Sequence, residues 1–178
     1  YVPRDNGGVY RVQATGGDAS AVTPHRTPEL ATRVPHFLPD GRHFLFTLRE
    51  GGARFGAVAV GSLDGGEPHV LLERGSNPQY ADGFLFTVVD GNLVTQRFDA
   101  GGQTLDGEAL PLAGAIEYYN PRDLAHFSVS DAGLLAYRQV RLRRTQLVWL
   151  DRDGKELAKV GEPSYYAGLH LNPTSQTL

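Results

Sequence analysis

Apolar residues along this chain come in runs of four to seven, rich in Val, Leu, Phe and Tyr and bounded by Gly, Asp and Pro. Runs of that length and make-up predict β-strands. No window of about eleven residues keeps a helical period free of Gly and Pro. Between Val34 and Gly161 the strands fall into groups of four. The first group is Val34–Leu38, His43–Leu48, Ala57–Leu63 and His69–Glu73. The second is Pro78–Ala81, Phe84–Val89, Asn92–Phe98 and Ala109–Leu112. The third is His126–Ser130, Leu134–Arg138, Gln146–Leu150 and Glu156–Val160. Two strands, Val9–Gln13 and Ser20–Thr23, precede these groups, and one, Leu169–Asn172, follows them.

The groups repeat. Phe44-Leu45-Phe46-Thr47 recurs as Phe84-Leu85-Phe86-Thr87, each copy after an Asp-Gly (Asp40-Gly41, Asp82-Gly83). A looser copy runs from Asp131-Ala132-Gly133 to Leu134-Leu135-Ala136-Tyr137. A second kind of turn alternates with the first, at QATGGD (13–18), SLDGGE (62–67), FDAGGQ (98–103) and LDRDGKE (150–156). Four-stranded antiparallel units repeating about every forty residues predict a β-propeller, in which each blade buries its two faces against its neighbours.

The stretch PHFLPDGRHFLF resembles the repeat of TolB-like, WD-repeat-like bacterial propellers, with their Pro-Asp-Gly turn between the first two strands. FSVSDAGLLAYRQ and TQLVWLDRDGKELAKVGEPSYYAGLHLNP resemble the propeller region C-terminal to bacterial Ser/Thr protein kinases. The second turn departs from the pattern by lacking the proline, the third reads Asp-Ala-Gly, and the last, Pro173-Thr174-Ser175-Gln176, has neither Asp nor Gly. The expected architecture is an all-β propeller segment. It has a partial blade over 1–33, blades over about 34–73, 77–112 and 126–160, and the start of another over 168–178.

Composition narrows the function classes. Seventeen basic against 20 acidic residues give a net charge of −3 on 178 residues, with no basic field for nucleic acid and no polybasic tract for a membrane. No apolar run approaches a membrane span. The absence of cysteine excludes disulfides and thiolate metal sites. Methionine is absent even at position 1, so the chain is expected to be a processed product or a piece of a longer protein, with blades missing at both ends. Open terminal blades then imply self-association through their edges.

Asp40, between His36 and His43, is the first candidate for chemistry. Turn chemistry accounts for it: Pro39 presets φ, Asp40 accepts nearby backbone N–H groups, and Gly41 takes a positive φ. No third ligand at metal spacing accompanies the two histidines. Asp151, Asp153 and Glu156 echo a calcium loop without its length, and a hairpin turn is the expected reading. G-x-S-x-G, H-E-x-x-H, a phosphate-binding glycine loop and the kinase motifs are all absent. The chain is therefore expected to be non-catalytic and to hold no cofactor.

One clustering exceeds what the repeat requires. Tyr80, Tyr118, Tyr119, Tyr165 and Tyr166 fall on or beside blade-to-blade connections, and EYYNPRD and EPSYYAG are near copies. Arg138, Arg141, Arg143 and Arg144 lie in a second-to-third loop expected to open on the same face. Tyrosine and arginine are enriched where proteins hold partners, which makes these nine a candidate partner-binding face. The competing reading weighs more: the tyrosines pack between blades with hydroxyls at the rim, and the arginines form a solvated loop. Two functions stay open. One is a sensor or protein-binding platform within a larger signalling protein, for which the kinase resemblance implies an extracytoplasmic position. The other is the gating propeller of a prolyl-oligopeptidase-like serine peptidase with its catalytic domain elsewhere.

Overall fold

The turn residues read from the sequence cut the chain into short extended pieces. The computed structural model describes residues 8–23, 30–50, 53, 56–119, 123–140, 144–164 and 166. Among these residues there are fifteen strands and no helix, so the protein is all-β. It divides into two compact units, Tyr1–Val140 and Arg141–Leu178.

In the first unit β1 (Tyr10–Arg11) pairs with β2 (Ser20–Ala21). A seven-stranded antiparallel sheet follows in chain order: β3 (Leu30–Phe37), β4 (His43–Glu50), β5 (Gly56–Ser62), β6 (His69–Ala81), β7 (Phe84–Val89), β8 (Asn92–Asp99) and β9 (Thr104–Ala113). Two small pairs complete the unit: β10 (Tyr118–Tyr119) with β11 (Leu124–Ala125), and β12 (Phe127–Val129) with β13 (Leu135–Tyr137). The second unit holds β14 (Thr145–Leu150) paired with β15 (Glu156–Ser164).

Three expectations are corrected. His69–Glu73 and Pro78–Ala81 are not separate strands but the two ends of the 13-residue β6. Its first part pairs with β5 as far as Gly75, and its second part pairs with β7 from Ser76 onward. The third group is not one four-stranded sheet: β12–β13 and β14–β15 are separate two-stranded sheets. The connection carrying Tyr118 and Tyr119 is itself a strand, β10. Leu169–Asn172 lies outside the described residues.

The two halves of the large sheet pack face to face. Leu38, Leu45, Val58 and Val60 from the first half share one buried cluster with Leu85 and Phe98 from the second. Behind the first half, Phe44, Phe46 and Ala59 pack with Val9 and Val22. Behind the second half, Val88 and Leu93 pack with Ile116, Ala125 and Phe127. Each half is thus apolar on both faces, and successive side chains of β4 serve opposite faces because a strand's side-chain period is two.

The hairpins shift the repeated Phe-Leu-Phe-Thr by one place. Leu38 and His43 close the first hairpin around a four-residue loop, with Leu38 N–H donating to the His43 carbonyl at 2.8 Å. Asp82 (φ 46°) and Gly83 (φ 80°) make a two-residue turn between the paired Ala81 and Phe84, and positive φ at both is the type I′ geometry. As a result Phe44 pairs with Phe37 and Leu45 with His36, whereas Leu85 pairs with Tyr80 and Phe86 with Gln79. Leu85 therefore takes the place of Phe44, and Phe86 that of Leu45. A one-residue slip turns each side chain to the other face.

Bulges mark β3 and β6 alike. The register breaks between Arg33 and His36 and again between Ser76 and Gln79. At each break a residue with positive φ precedes a proline: Val34 (φ 50°) before Pro35, and Asn77 (φ 51°) before Pro78. Proline brings no N–H to a ladder, so within a sheet it settles at such bulges.

Candidate functional site

Aligning the bulges puts His36 and Gln79 in the same place, two residues beyond Val34 and Asn77. Their side chains do the same work. His36 Nε2 lies 3.2 Å from the Tyr80 carbonyl, and a carbonyl can only accept, so the ring donates through Nε2. Gln79 Nε2 donates to the Phe127 carbonyl at 3.1 Å, and its Oε1 accepts the Val129 N–H at 3.0 Å. Each side chain crosses to a strand of a different hairpin, from β3 to β6 and from β6 to β12. Asn77 adds a second crossing, donating through Nδ2 to the Ala125 carbonyl at 2.8 Å while its own N–H reaches Thr47 Oγ1 at 3.1 Å.

Six of the nine residues of the expected partner face are among the described residues. Tyr80 sits by the Asp82-Gly83 hairpin, and its hydroxyl accepts the Gly83 N–H at 3.1 Å. Its ring meets Phe98 edge-on at 6.1 Å between centroids. Tyr118 is half-buried and its hydroxyl donates to Asp123 Oδ1 at 2.7 Å. Burial, and next the hydrogen bond to Asp123, hold the Tyr118 phenol above its ordinary pKa. Tyr119, its neighbour on β10, is exposed. Arg138 forms an ion pair with Glu117 and its backbone bonds to Glu117 and His126, so it does lie beside the connection that precedes β10. In the second unit Arg144 is exposed, and the Tyr166 hydroxyl donates to the Glu162 carbonyl at 2.9 Å. Arg141, Arg143 and Tyr165 lie outside the described residues. Tyr80 and Tyr118 thus have packing and hydrogen-bonding roles of their own.

Asp40 behaves as a turn residue. Its Oδ1 accepts the backbone N–H groups of Arg42 and His43, both at 2.9 Å, and its Oδ2 meets His43 Nδ1 at 2.5 Å. These bonds, the His43 backbone N–H foremost, lower its pKa to about 2. Asp151 does likewise, accepting the N–H groups of Asp153 at 3.0 Å and Lys155 at 2.8 Å, so LDRDGKE is a hairpin turn.

Sequence reading missed a cavity of about 550 Å³ at the hairpin end of the first unit. It is walled by His36 through Pro39 from β3 and its hairpin, by Tyr80 and Asp82 from the end of β6, and by Asp131 from the turn after β12. Three hairpins far apart in the chain, β3–β4, β6–β7 and β12–β13, supply it, so no contiguous motif could have announced it. Phe37 on its wall is 58% exposed, large for an aromatic held at a strand end. Neither Asp82 nor Asp131 has a hydrogen-bond or ion-pair partner among the described residues, in contrast with Asp40 and Asp151.

No protein-family model matches the chain, and no curated protein matches it.

Proposed function

We propose that this chain is an arc of a β-propeller that serves as a non-catalytic, protein-binding platform, taking its partner at the hairpin-end cavity. The observation that carries the reading is the equivalence of His36 and Gln79. Each follows a bulge by two residues, and each joins its own inner strand to the inner strand of the next repeat. Inner strands linked in series, with apolar residues on both faces of each four-stranded half, are what radial stacking of blades requires. The cavity then lies where successive inner strands end, and propellers are closed there by loops that vary freely. The resemblance to TolB-like repeats and to the propeller region of bacterial kinases supports a place within a larger signalling protein.

The test is a binding screen with the purified chain on an array of short extended peptides, beside assays for peptide and phosphate-ester hydrolysis. The platform reading expects capture of a subset of peptides and no turnover. Hydrolysis abolished by a single substitution overturns it, as does an array with no capture.

A further inference from the structure

The hairpin-end cavity is lined by both apolar and acidic residues. Phe37, Leu38, Pro39 and Tyr80 are its apolar and aromatic residues, Asp82 and Asp131 its carboxylates, and His36 completes the lining. The described residues that line it include no lysine or arginine. The two carboxylates come from two different turns and have no ion-pair partner among the described residues. The cavity also borders β3, which among the described residues is a terminal strand of the seven-stranded sheet, the kind of strand to which an extended segment can be added. Pro35 interrupts β3 as a ladder, so main-chain pairing there is short and side-chain recognition has to supply the selectivity.

We infer that the groove holds an extended peptide of a partner protein with an arginine side chain set between Phe37 and the two carboxylates. Arginine fits better than lysine because its planar guanidinium stacks on an aromatic face and pairs with carboxylates through two parallel N–H bonds. A volume of about 550 Å³ takes that side chain with its apolar neighbours. The inference rests on the platform reading and names its partner class.

The probe is a fluorescein-labelled peptide, Ala-Leu-Arg-Leu-Ala, capped at both ends, and its analogue with citrulline for arginine. Citrulline keeps the shape and removes the charge. Anisotropy titration of the full chain at low salt is expected to show the arginine peptide binding about tenfold more tightly than the citrulline peptide. The D82N/D131N variant should abolish that difference. Asparagine is at home at the positive φ of position 82, and circular dichroism of the variant should match the parent. Equal affinity for the two peptides, or a preference that survives D82N/D131N, overturns the inference. If array peptides are captured but the arginine probe is not, the platform stands and the arginine assignment falls. If neither is captured, both fall.

Discussion

Arg49 and Asp123 stand 74 residues apart in the chain and meet at 2.8 Å. Asp123 is only 1% exposed and has a φ of 52°, and the Tyr118 hydroxyl donates to the same oxygen. The guanidinium belongs to β4 and the carboxylate to the residue before β11, so the contact ties the first half of the large sheet to the small pairs beyond its second half. A buried carboxylate held by one cation is costly to strand.

Arg49→Met is expected to lower stability by about 3 kcal/mol, because it leaves the Asp123 charge buried without its cation. Asp123→Asn should be milder: the amide oxygen still accepts from Tyr118 and asparagine tolerates the positive φ. Urea melts of the two variants check the order. Equal midpoints for Arg49→Met and the parent protein rule the tether out.

The displaced register makes a prediction that the letters of the repeat reverse. Phe84 matches Phe44 by sequence, yet it is only partly buried, with Arg97 over its ring at 5.6 Å. Leu85, 1% exposed, holds the core place that Phe44 holds in the first half. Leu85→Ala should cost about 2–5 kcal/mol and Phe84→Ala no more than about 1 kcal/mol. Chemical denaturation of both decides, and a larger loss at Phe84 would return the register to the sequence alignment.

Gly61 on β5 faces two phenylalanines. A methyl group there would lie 2.7 Å from Phe44 Cζ and 3.2 Å from Phe46 Cε1. Gly61→Ala is expected to destabilise by about 1–3 kcal/mol through overpacking. Phe44→Leu added to it should recover part of that loss, as neighbouring substitutions are not additive. Thermal melts of the single and double variants make the comparison.

Asp40 gives a pH signature. Its carboxyl should titrate near pH 2 by carbon-detected NMR, below its ordinary 3.8. The sign follows from the depressed value. Its stabilising contribution is complete above about pH 4 and is lost as pH falls toward 2. His43→Gln should raise the value only part of the way, because the backbone N–H of residue 43, the largest contributor, remains.

Much of the strand order was readable because Asp-Gly and Gly-Gly fix hairpins locally: β7 has the bounds read for it, Phe84–Val89. What local signals could not give was frame. Asp40-Gly41 and Asp82-Gly83 look alike, but one sits in a four-residue loop and the other is a two-residue turn, and that difference decides which face Leu85 serves. Gly75-Ser76-Asn77-Pro78 reads as a break between strands, whereas Thr47, Thr87 and the Ala125 carbonyl hold its polar groups and keep β6 extended through it. The candidate site was less readable still. Tyr80 sits at a hairpin and Tyr118 turns its hydroxyl to Asp123, contacts that their sequence neighbours do not announce, while the cavity gathers residues from three hairpins.

A strand that belongs to two ladders at once also sets how the fold comes apart. β6 gives His69–Gly75 to β5 and Ser76–Ala81 to β7. Neither half of the sheet can open without stripping a flanking strand from the other, and the shared cluster around Leu45 and Leu85 opens with them. The two halves are therefore expected to melt as one cooperative unit, with the paired amides of β6 exchanging with solvent only when the whole of it opens.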